Sequence, residues 1–148
     1  MVRIGEPKMI TISGEQLNSM VVYIKNRGDI LAFYIYGSHG TKYQNIFSDV
    51  DFALLPKPGV IFDFKNELSA VAELSLIGKS DDINLINLNK VPVTLQMEVL
   101  ETGNLLYCAD KILLSDFIES VMSKYCDFEP DLRNFYQDYD YGLKKDYL

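Results

Sequence analysis

The stretch FYIYGSHGTKYQNIFSDVDFALL, residues 33–55, decides how this chain is read. It joins an apolar, aromatic run ending at Gly37 to a second run that opens on two acids, Asp49 and Asp51. The first run, Ile30 to Tyr36, has no polar alternation and is predicted as a strand buried on both faces. The second, Asp49 to Leu55, is predicted as a strand broken off by Pro56, Lys57, Pro58 and Gly59. Residues i and i+2 of a strand share a face about 6.5 Å apart. Asp49 and Asp51 are therefore expected side by side, with Val50 and Phe52 turned to the other face. Two such carboxylates repel unless a cation lies between them. Magnesium fits, because it takes one or two protein carboxylates and fills its other positions with water and phosphate oxygens.

The phosphates have a place in the same stretch. At Gly37 and Ser38 a buried strand gives way to the expected start of a short helix. Glycine lets backbone N–H groups approach a phosphate closely, the serine hydroxyl adds a hydrogen bond, and a helix N-terminus favours negative charge. Taken singly, each feature is also what an ordinary turn or a solvated strand edge looks like. Together they place a triphosphate at the end of one strand and its metals at the start of the next.

Working outward, Ser13 and Gln16 form a capping-box pattern ahead of Leu17, Met20, Val21 and Ile24, which predicts a helix over about 14–25 ended by Arg27, Gly28 and Asp29. After the second strand a helix is expected over about 62–77, with Leu68, Val71, Ala72 and Ser75 on its inner side and Gly78 as its C-terminal cap. Asp81 to Asn89 reads as a third strand. Pro92 opens a helix running to about Glu101 and stopping at Thr102 and Gly103. Asp110 caps a last helix with Leu114, Phe117, Ile118, Val121 and Tyr125 on one face. An aromatic and acidic tail, Glu129 to Leu148, closes the chain and suits packing on the domain or docking of a partner. The fold class this implies is α/β (α+β), a small sheet flanked by helices. At 148 residues the chain is expected to be one domain, with a core over about 14–108 and a C-terminal helix and tail over about 109–148.

Charge narrows the partners. A net charge of −7, with Lys144 and Lys145 the only adjacent basic pair, argues against a groove for long DNA or RNA. A nucleotide held through a metal stays compatible with it. No apolar run is long enough for a signal peptide or a membrane span, so a cytoplasmic location is expected. Cys108 and Cys126 lie too far apart for a Cys-x-x-Cys motif and are read as structural.

Gly37, Ser38, ten residues, Asp49, one residue and Asp51 match the G-S-x10-D-x-D signature of the DNA polymerase β nucleotidyltransferase superfamily. More narrowly, the chain resembles the minimal nucleotidyltransferases, MntA-type antitoxins, that pair with HEPN-domain toxins. The likeness extends through INLINLN, the helix ending in Glu101, Thr102 and Gly103, and the tail YCDFEPDL. The resemblance implies a polymerase β-type fold with a small mixed sheet. It also implies transfer of AMP from Mg-ATP to a tyrosine of a HEPN ribonuclease toxin. Carried over, Gly37 and Ser38 would hold the triphosphate, and Asp49 and Asp51 would bind Mg2+.

The chain departs from that pattern twice. The superfamily's third carboxylate falls at Asn84, whose amide carries no charge and cannot act as a base. Asp82, two residues earlier and on the same face by alternation, is the candidate substitute, although it is equally the polar start of a strand. The usual arginines after the serine are replaced by G-S-H-G-T-K, leaving Lys42 to contact phosphate and His39 as a loop residue near it. Catalytic candidates are thus Asp49, Asp51, Asp82 and Asn84, with Gly37, Ser38 and Lys42 for the nucleotide. An alternative is a catalytically weak module that neutralises its partner by binding alone. A small-molecule nucleotidyltransferase ranks third, because one helix and a tail after Asp110 do not supply an acceptor domain.

Overall fold

A computed structural model describes residues 12–37 and 50–127. The elements run α1 (Gly14–Arg27), β1 (Ile30–Tyr36), β2 (Val50–Pro56), α2 (Phe64–Gly78), β3 (Ile83–Asn87), α3 (Val93–Thr102), β4 (Asn104–Cys108) and α4 (Lys111–Cys126). The strands form one mixed sheet in the order β3-β2-β1-β4. β1 pairs antiparallel with both β2 and β4, and β2 pairs parallel with β3.

Helices cover both faces. Phe33, Ile35, Phe52 and Leu54 point to the α1 and α2 side, where they pack with Met20, Ile24 and Leu74. Phe33 and Phe52 stack across the strand pair with ring centroids 5.2 Å apart. Ala32, Tyr34, Ala53 and Leu55 point the other way, against Val99 of α3 and Leu114 of α4. This two-sided cover explains why β1 and β2 carry almost unbroken apolar runs.

Local signals act as expected at several ends. The Ser13 hydroxyl accepts from Gln16 N–H while the Gln16 carboxamide accepts from Ser13 N–H, a complete capping box. The same Gln16 donates to the Ile77 carbonyl, tying α1 to the end of α2. Gly28, at φ 79°, closes α1 in the left-handed region that glycine adopts freely. Asp110 caps α4 by accepting from Ile112 and Leu113 N–H.

The structure corrects the sequence reading at five points. β4 was not read from the sequence, because NLLYC is short and only half-buried at the sheet edge. β3 is shorter than 81–89. Phe62 lies outside α2 as a buried core residue, and Asp63 is the cap. The inner side of α2 is Ala70, Leu74 and Gly78, while Leu68 is 52% exposed and Ala72 faces solvent. Gly78 is helical and the cap is Lys79 at φ 53°. Apolar residues surround α2, so their spacing did not select a face. Gly78 has no side chain for hydropathy to register, yet a Cβ there would lie 2.7 Å from Ile83 Cδ1 and 3.0 Å from Met20 Cε. Position 128 onward, including the tail from Glu129, lies outside the described residues. No helix among the described residues is long and apolar enough to cross a membrane.

Candidate active site

The sheet register brings three residues into one row. Tyr36 of β1 lies opposite Asp51 of β2, and Asp51 lies opposite Asn84 of β3. Their neighbours of the same parity, Tyr34, Ala53 and Ile86, pack toward α3 and α4, so the row belongs to that face of the sheet. It sits at its open end, with Asp51 half-buried and Asn84 exposed.

Asn84 Nδ2 donates to Asp51 Oδ1 at 3.2 Å. A neutral amide thus holds the orientation of the carboxylate from the position where the resemblance calls for a third acid. Gly37 follows Tyr36 at φ 80°, and a Cβ placed on it would come within 2.8 Å of Asp51 Oδ2. The end of β1 therefore packs its bare backbone directly against the acid, and two independent features, the positive φ and the missing side chain, require glycine there. The close approach that the structure shows at Gly37 is to Asp51, a contact the sequence reading did not include.

Asp82 stands just before β3. Its carbonyl accepts from Val50 N–H at 3.0 Å, extending the β2–β3 ladder, and its own N–H donates to the Ser80 hydroxyl. Its backbone is thus fixed beside the start of β2. Ser38, His39, Lys42 and Asp49 lie outside the described residues.

Tyr36 is the residue that sequence reasoning missed. Burial, followed by the negative charges of Asp51 and Glu98, pushes its phenol up to about 12. It is therefore a neutral hydrogen-bond donor beside the carboxylate at ordinary pH. The signal that could have found it is its position immediately before Gly37, but its facing of Asp51 depends on a register that the sequence does not state.

The donors suit a hard cation in kind. Asp51 offers carboxylate oxygen and Asn84 an amide, and the bare Gly37 backbone lets the Asp51 carboxylate take the space that a side chain would fill. Among the described residues, no group of three or more His, Cys, Asp or Glu side chains is arranged to hold a metal. A separate cavity of about 400 Å3 opens at the opposite end of β1 and β2, lined by Leu31, Leu55, Pro56 and Phe117 among others. It contains none of the candidate residues.

Comparisons agree with this geometry. The chain matches the family model described as polymerase beta, nucleotidyltransferase, over residues 18–112. Among solved structures, it is similar to a chain of the toxin–antitoxin MntA-HepT, with TM-score 0.62 and 17% identity over 85% of this chain and 97% of that one. A toxin–antitoxin with AMP-PNP gives TM-score 0.63 at 19% identity, covering 84% and 95%. A tri-AMPylated Shewanella oneidensis HEPN toxin in complex with MNT antitoxin gives 0.62 at 18%, also covering 84% and 95%. At such identities the likeness is one of fold. No curated protein matches. The mixed sheet, the glycine against Asp51 and the family match over most of the described residues together mean that this chain belongs to the polymerase beta nucleotidyltransferase family.

Proposed function

We propose that the chain is an antitoxin that transfers AMP from ATP to a tyrosine of a HEPN-type toxin. The observation that carries this reading is the contact of Gly37 with Asp51, which joins the two halves of the G-S-x10-D-x-D signature at one point. Two similar structures, a tri-AMPylated HEPN toxin in complex with MNT antitoxin and a toxin–antitoxin with AMP-PNP, support the choice of acceptor and nucleotide.

In this reading Gly37, Ser38 and Lys42 hold the triphosphate and Asp49 and Asp51 hold Mg2+. The bound cation would neutralise phosphate charge and align the attacking and leaving oxygens. Asn84 keeps the Asp51 carboxylate turned correctly, and the neutral Tyr36 phenol stands as a donor at the site wall. The acceptor's tyrosine oxygen bonds to the α-phosphorus as the bond to the bridging oxygen breaks. Pyrophosphate leaves, and the phenolic proton passes to water. Asp82 is the nearest carboxylate in sequence to Asn84 and the candidate to assist that proton's departure.

Mass spectrometry of the toxin after incubation with this chain, ATP and Mg2+ tests the proposal. A gain of about 329 Da on a tyrosine for each transferred group is expected. Asp51→Asn should lower the rate by at least about 100-fold while leaving toxin binding intact. No mass gain with a folded, bound toxin would overturn transfer.

A second reading, neutralisation by binding alone, is favoured by one observation: Asn84 meets Asp51 as a hydrogen-bond donor rather than as a third acid. It predicts that an Asp49→Ala, Asp51→Ala double variant still suppresses toxicity as well as the wild type. Loss of suppression by a variant that folds and binds would reject it.

A further inference from the structure

The outer face of α2 carries a ridge of apolar side chains spaced by four: Phe64, Leu68, Ala72 and Leu76. Phe64 is 68% exposed, Leu68 52% and Leu76 72%, and Ile61, just ahead of the helix, is 85% exposed. The ridge lies opposite the arc made by Ala70, Leu74 and Gly78, which packs on the sheet. Lys65, Ser69 and Ser75 share this outer face, and the one exposed acid beside it is the N-cap Asp63 at its end. Scattered exposed leucines are ordinary, but a continuous ridge along a whole helix is not.

We propose that this ridge is the contact between two copies of the chain, packed α2 against α2 about a two-fold axis. The pattern is self-complementary. With the helices antiparallel and the axis passing near position 70, Phe64 meets Leu76 of the second copy and Leu68 meets its Ala72, a large residue against a small one. Ridges of i±4 spacing interdigitate at a crossing angle of about −50°, the commonest helix packing. Ala72 at the crossing allows close approach of the two backbones. A large side chain presents about 150–200 Å2, so the exposed parts of Phe64, Leu68 and Leu76, together with Ile61 ahead of the helix, offer at most on the order of 500 Å2 per copy. Full burial of these side chains in two copies gives about 1,000 Å2, which reaches the lower bound of a specific interface.

The second copy is the favoured occupant for a further reason of placement. α2 lies on the sheet face that carries Phe33 and Phe52, whereas Asp51 and Asn84 open on the face covered by α3 and α4. A protein docked on the ridge would be separated by the sheet from Asp51, which is the wrong side for an acceptor. A two-fold pair through α2 leaves both sites turned outward and free. This inference does not depend on which nucleotide or acceptor the site uses.

Sedimentation equilibrium of the full chain should give twice the 16.9 kDa chain mass at about 100 µM. Leu68→Glu with Leu76→Glu should weaken the dimer by at least about 100-fold with unchanged circular dichroism, since both side chains are exposed. Ile112→Glu, an equally exposed change on α4, should leave it dimeric. In a Leu68→Cys, Ala72→Cys variant, oxidation should give an intermolecular disulfide between the two positions, located by peptide mapping. A wild-type monomer at that concentration would overturn the proposal, as would a double Glu variant that remains dimeric. A monomer whose toxin binding is lost in the double Glu variant would assign the ridge to the toxin instead.

Discussion

Asn84 stands where the resemblance to the family expects a third acid. It donates to Asp51, so replacing it by Asp would set two carboxylates opposite each other. Their repulsion is relieved only by a cation between them. Asn84→Asp should therefore melt below the wild type in chelator and gain more from Mg2+ than the wild type gains, as read by thermal denaturation with and without metal. Equal responses of the two proteins would mean that Asp51 does not face a cation site. Gly37→Ala is the complementary change. The positive φ and a Cβ 2.8 Å from Asp51 Oδ2 both oppose it, at a cost of about 1–3 kcal/mol in chemical denaturation. The spacing of Gly37, Ser38, Asp49 and Asp51 was legible in the sequence because the motif is local. The Asn84 to Asp51 bond was not, because it spans two strands separated by a helix.

Elements were legible where their ends carry their own chemistry. Ser13 with Gln16, Gly28 and Asp110 mark ends by hydrogen bonding within a few residues, and those ends are found where expected. The phase of α2 was not legible, since its core-facing arc includes Gly78 and its outer arc includes Leu68 and Leu76. Gly78→Leu should accordingly cost about 1–3 kcal/mol or more by overpacking against Ile83 and Met20, whereas Leu76→Ser should change chemical stability by less than about 0.5 kcal/mol in the monomer. The reverse order would place the core on the wrong side of the helix. Gly103 joins α3 to β4, and a Cβ there would lie 2.5 Å from the Val99 carbonyl oxygen. That contact is with backbone, which cannot rotate away, so the turn into the overlooked edge strand depends on glycine.

At the scale of the whole molecule, burial of the central strand couples stability to alkaline pH. Tyr34 is pushed up by burial and by Cys108, and Tyr36 is pushed up to about 12. Above the ordinary tyrosine value of about 10, the unfolded chain loses these protons while the folded chain keeps them. Stability from these groups is therefore fully present below about pH 10 and is lost as pH rises toward 12. Denaturant unfolding at several alkaline pH values should show this decline, and Tyr36→Phe should make it shallower; an unchanged slope would mean that the phenol is not buried. The sequence by itself determined the buried character of the central strands, the order of the first elements and the spacing of the G-S-x10-D-x-D signature, because these depend on neighbours along the chain. Only the tertiary structure decided that Tyr36, Asp51 and Asn84 form one row, that Gly37 touches the acid, and that an apolar ridge of α2 faces outward. Each of those depends on register and helix phase, which are set by long-range packing of the sheet against its helices.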